Sequence, residues 1–265
     1  DSWRIGNKLT VNYGLRWDWF SREQEREGEQ ANLVPGPPAR YLIPAEHRDV
    51  PLSPSFVQNL QRDGIELVYT DEFGSGLGKM PKNNFAPRLD AAYQISDKQV
   101  LRAGYGLFYG AFENRGGNPS LGYNYPFQFT LQYQSQNAVD PNRLPDGSLV
   151  DLTARQRIVL DPVNVNANGL NMRGVEFDYK TPRYHNYNVM LQSELGSHHS
   201  VEAGYVGTRG RNLETFTGMN NLPILLPPGT NPQPYVAWPD FQRNSILVRT
   251  AFERKFGLPV LMTYG

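Results

Sequence analysis

Two glycine runs and a few polar residues are the parts of this sequence whose types and spacing could do chemistry. Gly104-x-Gly106-x-x-x-Gly110 and Gly74-Ser75-Gly76-Leu77-Gly78-Lys79 have the composition of phosphate-cradling loops, which need a glycine turn between a strand and a helix N-terminus. The first run lies inside an alternating stretch that reads as a strand. The second has Phe73 where the first P-loop glycine belongs and Met80 in place of the hydroxyl residue, so neither predicts a nucleotide site. His198-His199 offers two imidazoles in a short turn with no evident third ligand, and Leu144 interrupts the calcium-like set of Asp140, Asn142, Asp146 and Gly147. Solvated turns account for both. No Ser/His/Asp set or close carboxylate pair stands out. The chain reads as no enzyme, with no catalytic residue, cofactor or metal.

Stepping outward from those residues, the composition excludes further classes. The 265 residues carry 26 Lys+Arg against 26 Asp+Glu and no Cys, which gives no field for a nucleic-acid partner and no disulfide framework or thiolate chemistry. Mean hydropathy is −0.56. No apolar run approaches the ~18 residues of a helical span. Transmembrane barrel strands escape that test, because a strand of ~9–11 residues turns alternate side chains to a polar lumen.

Alternation of that kind organises the chain. From Leu9 to Trp19 every odd position is large and apolar and every even one is polar or Gly; at ~3.3 Å per residue and a tilt of roughly 40° such a strand rises about 25 Å, the height of a barrel's apolar band. The pattern predicts strands near 1–5, 9–20, 85–95, 100–112, 184–195, 200–213, 245–255 and 258–265, about six complete and two partial. They pair as hairpins with turns of three or four residues. Long polar, Pro/Gly-rich loops at 21–84, 113–183 and 214–244 separate the hairpins. This short/long asymmetry is that of an outer-membrane barrel with short periplasmic turns and long extracellular loops. Within the loops, Ser53-Pro54 to Gly64 predicts a short helix with Phe56 and Leu60 on one face, and Tyr125 to Tyr133 predicts a further strand. The fold class expected is all-β, an antiparallel up-and-down transmembrane barrel segment, with 1–265 as one partial barrel domain. Because Asp1 and Gly265 both fall inside an alternating pattern, a longer parent chain is expected.

Three motifs carry a resemblance. Asp1-Ser2-Trp3-Arg4 with Leu9 to Trp17, Asn84-Phe85-Ala86-Pro87-Arg88-Leu89 leading to Leu101 to Tyr109, and Val201-Glu202-Ala203-Gly204-Tyr205-Val206-Gly207-Thr208-Arg209-Gly210 resemble the barrel of Oar-like TonB-dependent receptors of acidobacteria and myxobacteria. The resemblance touches every hairpin and hardly the loops. It implies a parent barrel of about 22 strands, an N-terminal plug, a segment that contacts TonB and often a carboxypeptidase-regulatory-like domain, none of which this chain contains. The partners implied are outer-membrane lipid, the rest of the barrel with its plug, the TonB system and an unknown extracellular ligand. A porin, or a surface adhesin or carbohydrate-binding β protein without TonB coupling, is the alternative.

Site expectations follow from the two faces of the strands. Trp3, Trp17, Trp19, Tyr105, Tyr109, Tyr187, Tyr205 and Tyr264 fall on the apolar face and predict an interfacial aromatic belt. Arg16, Asp18, Arg88, Asp90, Arg102, Gln192, Glu194 and Glu202 fall on the opposite face and predict a polar lumen, with a merely solvated wall as the simpler alternative. Tyr123, Tyr125, Phe127, Tyr235 and Trp238 in the loops suit either stacking on a ligand or packing the loops together.

Overall fold

The structure, a computed structural model, describes residues 1–74, 76–110, 120–129, 162–196, 198–221, 226–231, 235–241 and, as backbone alone, 246–250. In chain order the elements are β1 (Ser2–Ile5), β2 (Leu9–Asp18), β3 (Asn32–Val34), β4 (Ala39–Pro44), helix α1 (Pro54–Arg62), β5 (Ile65–Thr70), β6 (Asn84–Ser96), β7 (Gln99–Tyr109), β8 (Arg173–Val175), β9 (Arg183–Leu195), β10 (His199–Arg211), β11 (Glu214–Gly218) and β12 (Ile246–Thr250). Short 3-10 turns fall at Ala45–His47, Leu121–Tyr123 and Pro162–Asn164. The long period-two runs have become one antiparallel sheet in the order β1-β2-β6-β7-β9-β10. Among the described residues it is not closed on itself: β1 and β10 are its edges.

Register fixes the faces. Partners across an antiparallel pair share a face, so the pairings Trp3↔Val11, Val11↔Ala91, Ala91↔Ala103, Ala103↔Val189 and Val189↔Tyr205 form one continuous rank across all six strands. Ile5, Leu9, Tyr93, Leu101, Leu191 and Ala203 form the next. The turns Gly6 to Lys8, Asp97-Lys98 and Gly196 to His198 all lie at one end of the sheet, and every long connection leaves from the other. Gly6 (φ 62°) and Gly196 (φ 72°) take the left-handed backbone that tight turns demand.

The long connections depart from the expectation of plain loops. Residues of 21–84, 113–183 and 214–244 fold together into a cap with its own core: Leu33, Tyr41, Ile43, Phe56 and Leu60 from the first connection pack with Tyr125, Val165, Ala167 and Met172 from the second and Trp238 and Phe241 from the third. Two three-stranded sheets, β3-β4-β5 and β11-β12-β8, belong to this cap. The residues around Ile246, predicted to be a wall strand, pair instead with β11 and, in parallel, with β8; the remainder of that hairpin, with Tyr264, lies outside the described residues. Of the strand predicted for 125–133, Tyr125 to Phe127 form a turn with a cis Tyr125–Pro126 bond, and 130–133 lie outside the described residues. Burial defeats the alternation there: Tyr125 is turned into the core, where its hydroxyl donates to Pro162 O. Helix α1 starts and stops where Ser53, Pro54 and Gly64 predicted, with Phe56 and Leu60 buried. Its Ser53 hydroxyl does not cap the helix but donates to Val165 O at 2.6 Å, tying the first connection to the second.

Side-chain amides do much of this tying. Asn32, fully buried, donates to Leu77 O (3.0 Å) and Val175 O (3.1 Å) and accepts from Val175 N (2.8 Å). Asn124 treats Ala31 O, Arg173 O and Arg173 N in the same way, and Asn220 treats Trp238 O, Phe241 O and Trp238 N likewise. Each Asn stands in for one residue's worth of β-ladder between segments with no common register. Asn32→Ala leaves buried backbone groups unpaired at about 1–3 kcal/mol each. The expected outcome is a cap that limited proteolysis cuts at lower urea than in the parent, while the wall's resistance is unchanged.

Candidate functional site: a two-faced wall and a cleft in the cap

Wall side chains of odd number form one face and those of even number the other. On the odd face large apolar groups stand exposed: Leu15 is 69% exposed, Tyr205 64%, Trp3 61% and Leu89 51%. Trp17, Tyr105 and Tyr187 share that exposure. Tyr109 is half-buried on the same face, and Trp19 is exposed just beyond the end of β2. Trp17 Nε1 donates to Lys82 O at 2.7 Å, leaving the indole body outward. A contiguous apolar face of this extent is rare on a water-soluble monomer and marks a lipid or protein contact surface.

Arg16, Asp18, Arg88, Asp90, Arg102, Gln192, Glu194 and Glu202 all share the even face. Arg16 and Asp18 pair at 2.8 Å along β2, an exposed ion pair worth about 0–1 kcal/mol. Arg88 lies 4.8 Å from the centroid of Phe108. Gly104 sits between the side chains of neighbouring strands: a Cβ there would lie 2.6 Å from Asp90 Oδ1 and 2.8 Å from Asn188 Nδ2. Gly104 thus belongs to a strand rather than a phosphate loop.

The second glycine run has a different partner. Arg22, 5% exposed, donates to Gly76 O (3.2 Å), Leu77 O (3.3 Å) and the carbonyl oxygens of Glu176 and Phe177. A Cβ on Gly78 would collide with its guanidinium. Leu77 is held fully buried at φ 49°, a left-handed conformation that costs a branched side chain about 1–3 kcal/mol and persists only when its surroundings impose it. Burial pulls the Arg22 guanidinium down to about 10, so it stays cationic at neutral pH. Beside it opens a cleft of ≈ 360 Å³, lined by Arg22 to Glu25, Gln30, Ser120 to Gly122 and Val175. In it Glu25 accepts from Glu27 N (2.7 Å) and Glu29 N (2.8 Å), which hold its carboxyl below the usual range. Polar groups of both signs surround Leu121 and Val175 in this cleft.

Of the loop aromatics, Tyr125 and Trp238 are core and Phe127 packs edge-on against His47. Tyr123 and Tyr235 are exposed, Tyr123 with Arg173 at 4.5 Å from its centroid. His198 lies in a wall turn and His199 opens β10; Asp140, Asn142, Asp146 and Gly147 lie outside the described residues. Among the described residues no cluster of three His, Asp or Glu is placed to hold a metal.

The wall accounts for what the chain matches. Residues 1–254 fit the family described as Outer membrane beta barrel domain. The chain belongs to the outer membrane beta barrel domain family. As such a domain it is a protein of the bacterial outer membrane, and its exposed odd face is of the kind that meets lipid. Comparison with curated proteins and with solved structures finds no match. For the barrel domain, reasoning from sequence overlooked Arg22, whose long-range carbonyl partners carry no local signal. It also overlooked three arginines, Arg183, Arg209 and Arg211, on the odd face. Their signal was available, since they continue the parity of Tyr187 and Tyr205.

Where the cap closes on itself it is sensitive to pH. Asp240 N donates to Asp63 Oδ2 (3.1 Å), Arg62 pairs with Asp240 at 3.0 Å, and Asp63 Oδ1 is buried without a partner. Burial, with the Asp240 charge adding to it, pushes the Asp63 carboxyl up to about 6. The folded cap therefore binds this proton before the unfolded chain does, so the cap gains stability as pH falls from about 6 toward 4 and loses it as pH rises. Asp63→Asn flattens that dependence in a urea titration of cap proteolysis across the same window; an unchanged slope excludes Asp63 as its source.

Proposed function

We propose that the chain supplies barrel wall and extracellular ligand-capturing cap to a TonB-dependent receptor engaged in energised import. The supporting observation is that the long connections leave one end of the sheet and their described residues fold into a cored cap with a cleft, while among the described residues the other end carries short turns. A structure of that size on one rim suits selective capture, whereas a passive pore needs an open mouth. The motifs Asn84 to Leu89 and Val201 to Gly210, which resemble Oar-like receptors, support the same reading. In it Trp17, Trp19, Tyr105, Tyr109 and Tyr187 sit against the membrane boundary, Trp3 and Tyr205, in the rank of Val189, face lipid below them, and the eight polar even-face residues line the lumen beside a plug supplied by the rest of the protein.

The test uses the intact outer-membrane protein in planar lipid bilayers, with the periplasmic domain of TonB added on the turn side. A plugged receptor shows no steady conductance and cross-links to TonB. Steady ohmic channels without TonB cross-linking would identify a porin, and neither conductance nor cross-linking an adhesin; either result overturns the proposal.

A further inference from the structure

Across β7, β9 and β10 the odd face is uncharged through four ranks, from Gln99↔Ser193↔Val201 to Tyr105↔Tyr187↔Gly207, and then changes abruptly. Tyr105↔Tyr187↔Gly207 is the last uncharged rank; the next toward the cap is Leu107↔His185↔Arg209, and the one after it Tyr109↔Arg183↔Arg211. Tyr105 Oη and His185 Nδ1 are 2.8 Å apart, and the rings of Tyr187 and Tyr205 stand 6.1 Å apart. Three arginines and a histidine thus crown a tyrosine rank on the face that lower down meets lipid.

Like charges opposite one another on neighbouring strands are destabilising unless an anion lies between them. Among the described residues Arg183 and Arg209 have no carboxylate within 4.0 Å, and Arg183 Nε and His185 Nε2 are buried without a hydrogen-bond partner. Tyrosine rings prefer the headgroup level of a bilayer. The guanidiniums lie two to four residues further along the strands, roughly 5–10 Å higher on tilted strands. That is where lipid phosphates are, and guanidinium matches phosphate with paired, charge-assisted hydrogen bonds.

We infer that Arg183, Arg209 and Arg211 form an outward docking site for the phosphate of an outer-leaflet lipid headgroup, whose acyl chains lie down the wall over Tyr187 and Tyr205. The bound lipid supplies counter-charge to Arg183 and Arg209 and fixes the wall's depth at its cap end. This rests on the outer-membrane barrel and is independent of TonB coupling.

The intact protein in detergent is titrated with diphosphoryl lipid A in mixed micelles, with phosphatidylcholine as the zwitterionic comparison and inorganic phosphate as competitor. Lipid A is retained and phosphatidylcholine is not, free phosphate does not displace it, and Arg183→Gln with Arg209→Gln weakens retention by about tenfold or more, as expected for two lost charge-assisted contacts. Folding of the variant is read from its heat-modifiable migration in SDS gels. If the double variant fails to fold, Arg209→Gln alone, at an exposed position, and the salt dependence of lipid A retention by the parent decide the matter. Unchanged retention in a folded variant, no weakening with salt, equal retention of phosphatidylcholine, or displacement by free phosphate each overturns the assignment.

Discussion

Val189→Arg stops the wall from assembling, whereas Gln192→Arg leaves it intact. Val189 lies in the rank that runs from Trp3 to Tyr205 and is half exposed on the odd face, between Ala103 and Tyr205. A guanidinium at the midplane of the lipid-facing side of a barrel costs about 2–4 kcal/mol. Two flanking small or apolar partners offer it no counter-charge. Gln192, opposite Val100 and Glu202 on the even face, gains an acid neighbour when replaced by Arg. Leu107→Arg is disruptive as well, because Leu107 is buried beside His185 in the rank that already carries Arg209, where a further guanidinium meets like charge. The measurement is the fraction of each variant that shows folded, heat-modifiable migration after reconstitution and urea titration. Equal folding of Val189→Arg and Gln192→Arg would falsify the orientation of the wall.

The second large effect falls on the cap. Phe56 is fully buried, with its ring 4.7 Å from Tyr125, 5.3 Å from Tyr41 and 6.0 Å from Phe241. It is therefore touched by all three long connections. Phe56→Ala removes the ring and leaves a cavity, at about 3–5 kcal/mol. The cap has its own core and the wall another set of contacts, so the loss is local: amide exchange accelerates in β3, β4, β5 and α1, while β6, β7 and β9 keep their protection. Uniform acceleration through both would show that cap and wall unfold as one unit.

How much of this was legible in the sequence differs between the two parts for a physical reason. The wall strands are readable because a two-sided solvent imposes period two on every residue, from Leu9 to Trp17 and again from Leu101 to Tyr109. The cap has no such local code. Asn32 bonds Val175, 143 residues away, and Arg22 holds carbonyls on either side of β6 and β7; neither residue differs in type from an ordinary solvated loop residue. Ile246 to Thr250 alternate as a wall strand would, yet β8 and β11 claim them, because alternation reports a half-buried strand without saying which sheet it joins. The cleft residues Glu23 to Glu25 look like a charge run, and only the fold places Ser120 and Val175 opposite them.

The open edges of the wall set the order in which it can be built. Among the described residues β10 is paired along one side only, over 13 residues, and until a further strand reaches it that edge presents roughly six free N–H and six free C=O groups. In hydrocarbon each unsatisfied group costs several kcal/mol, far more than the apolar odd face of one strand recovers. This sheet can therefore enter lipid no faster than its edges find partners. Insertion and strand pairing must advance together, like the closing of a zipper, with the cap already outside the bilayer or folding only after the wall beneath it is sealed.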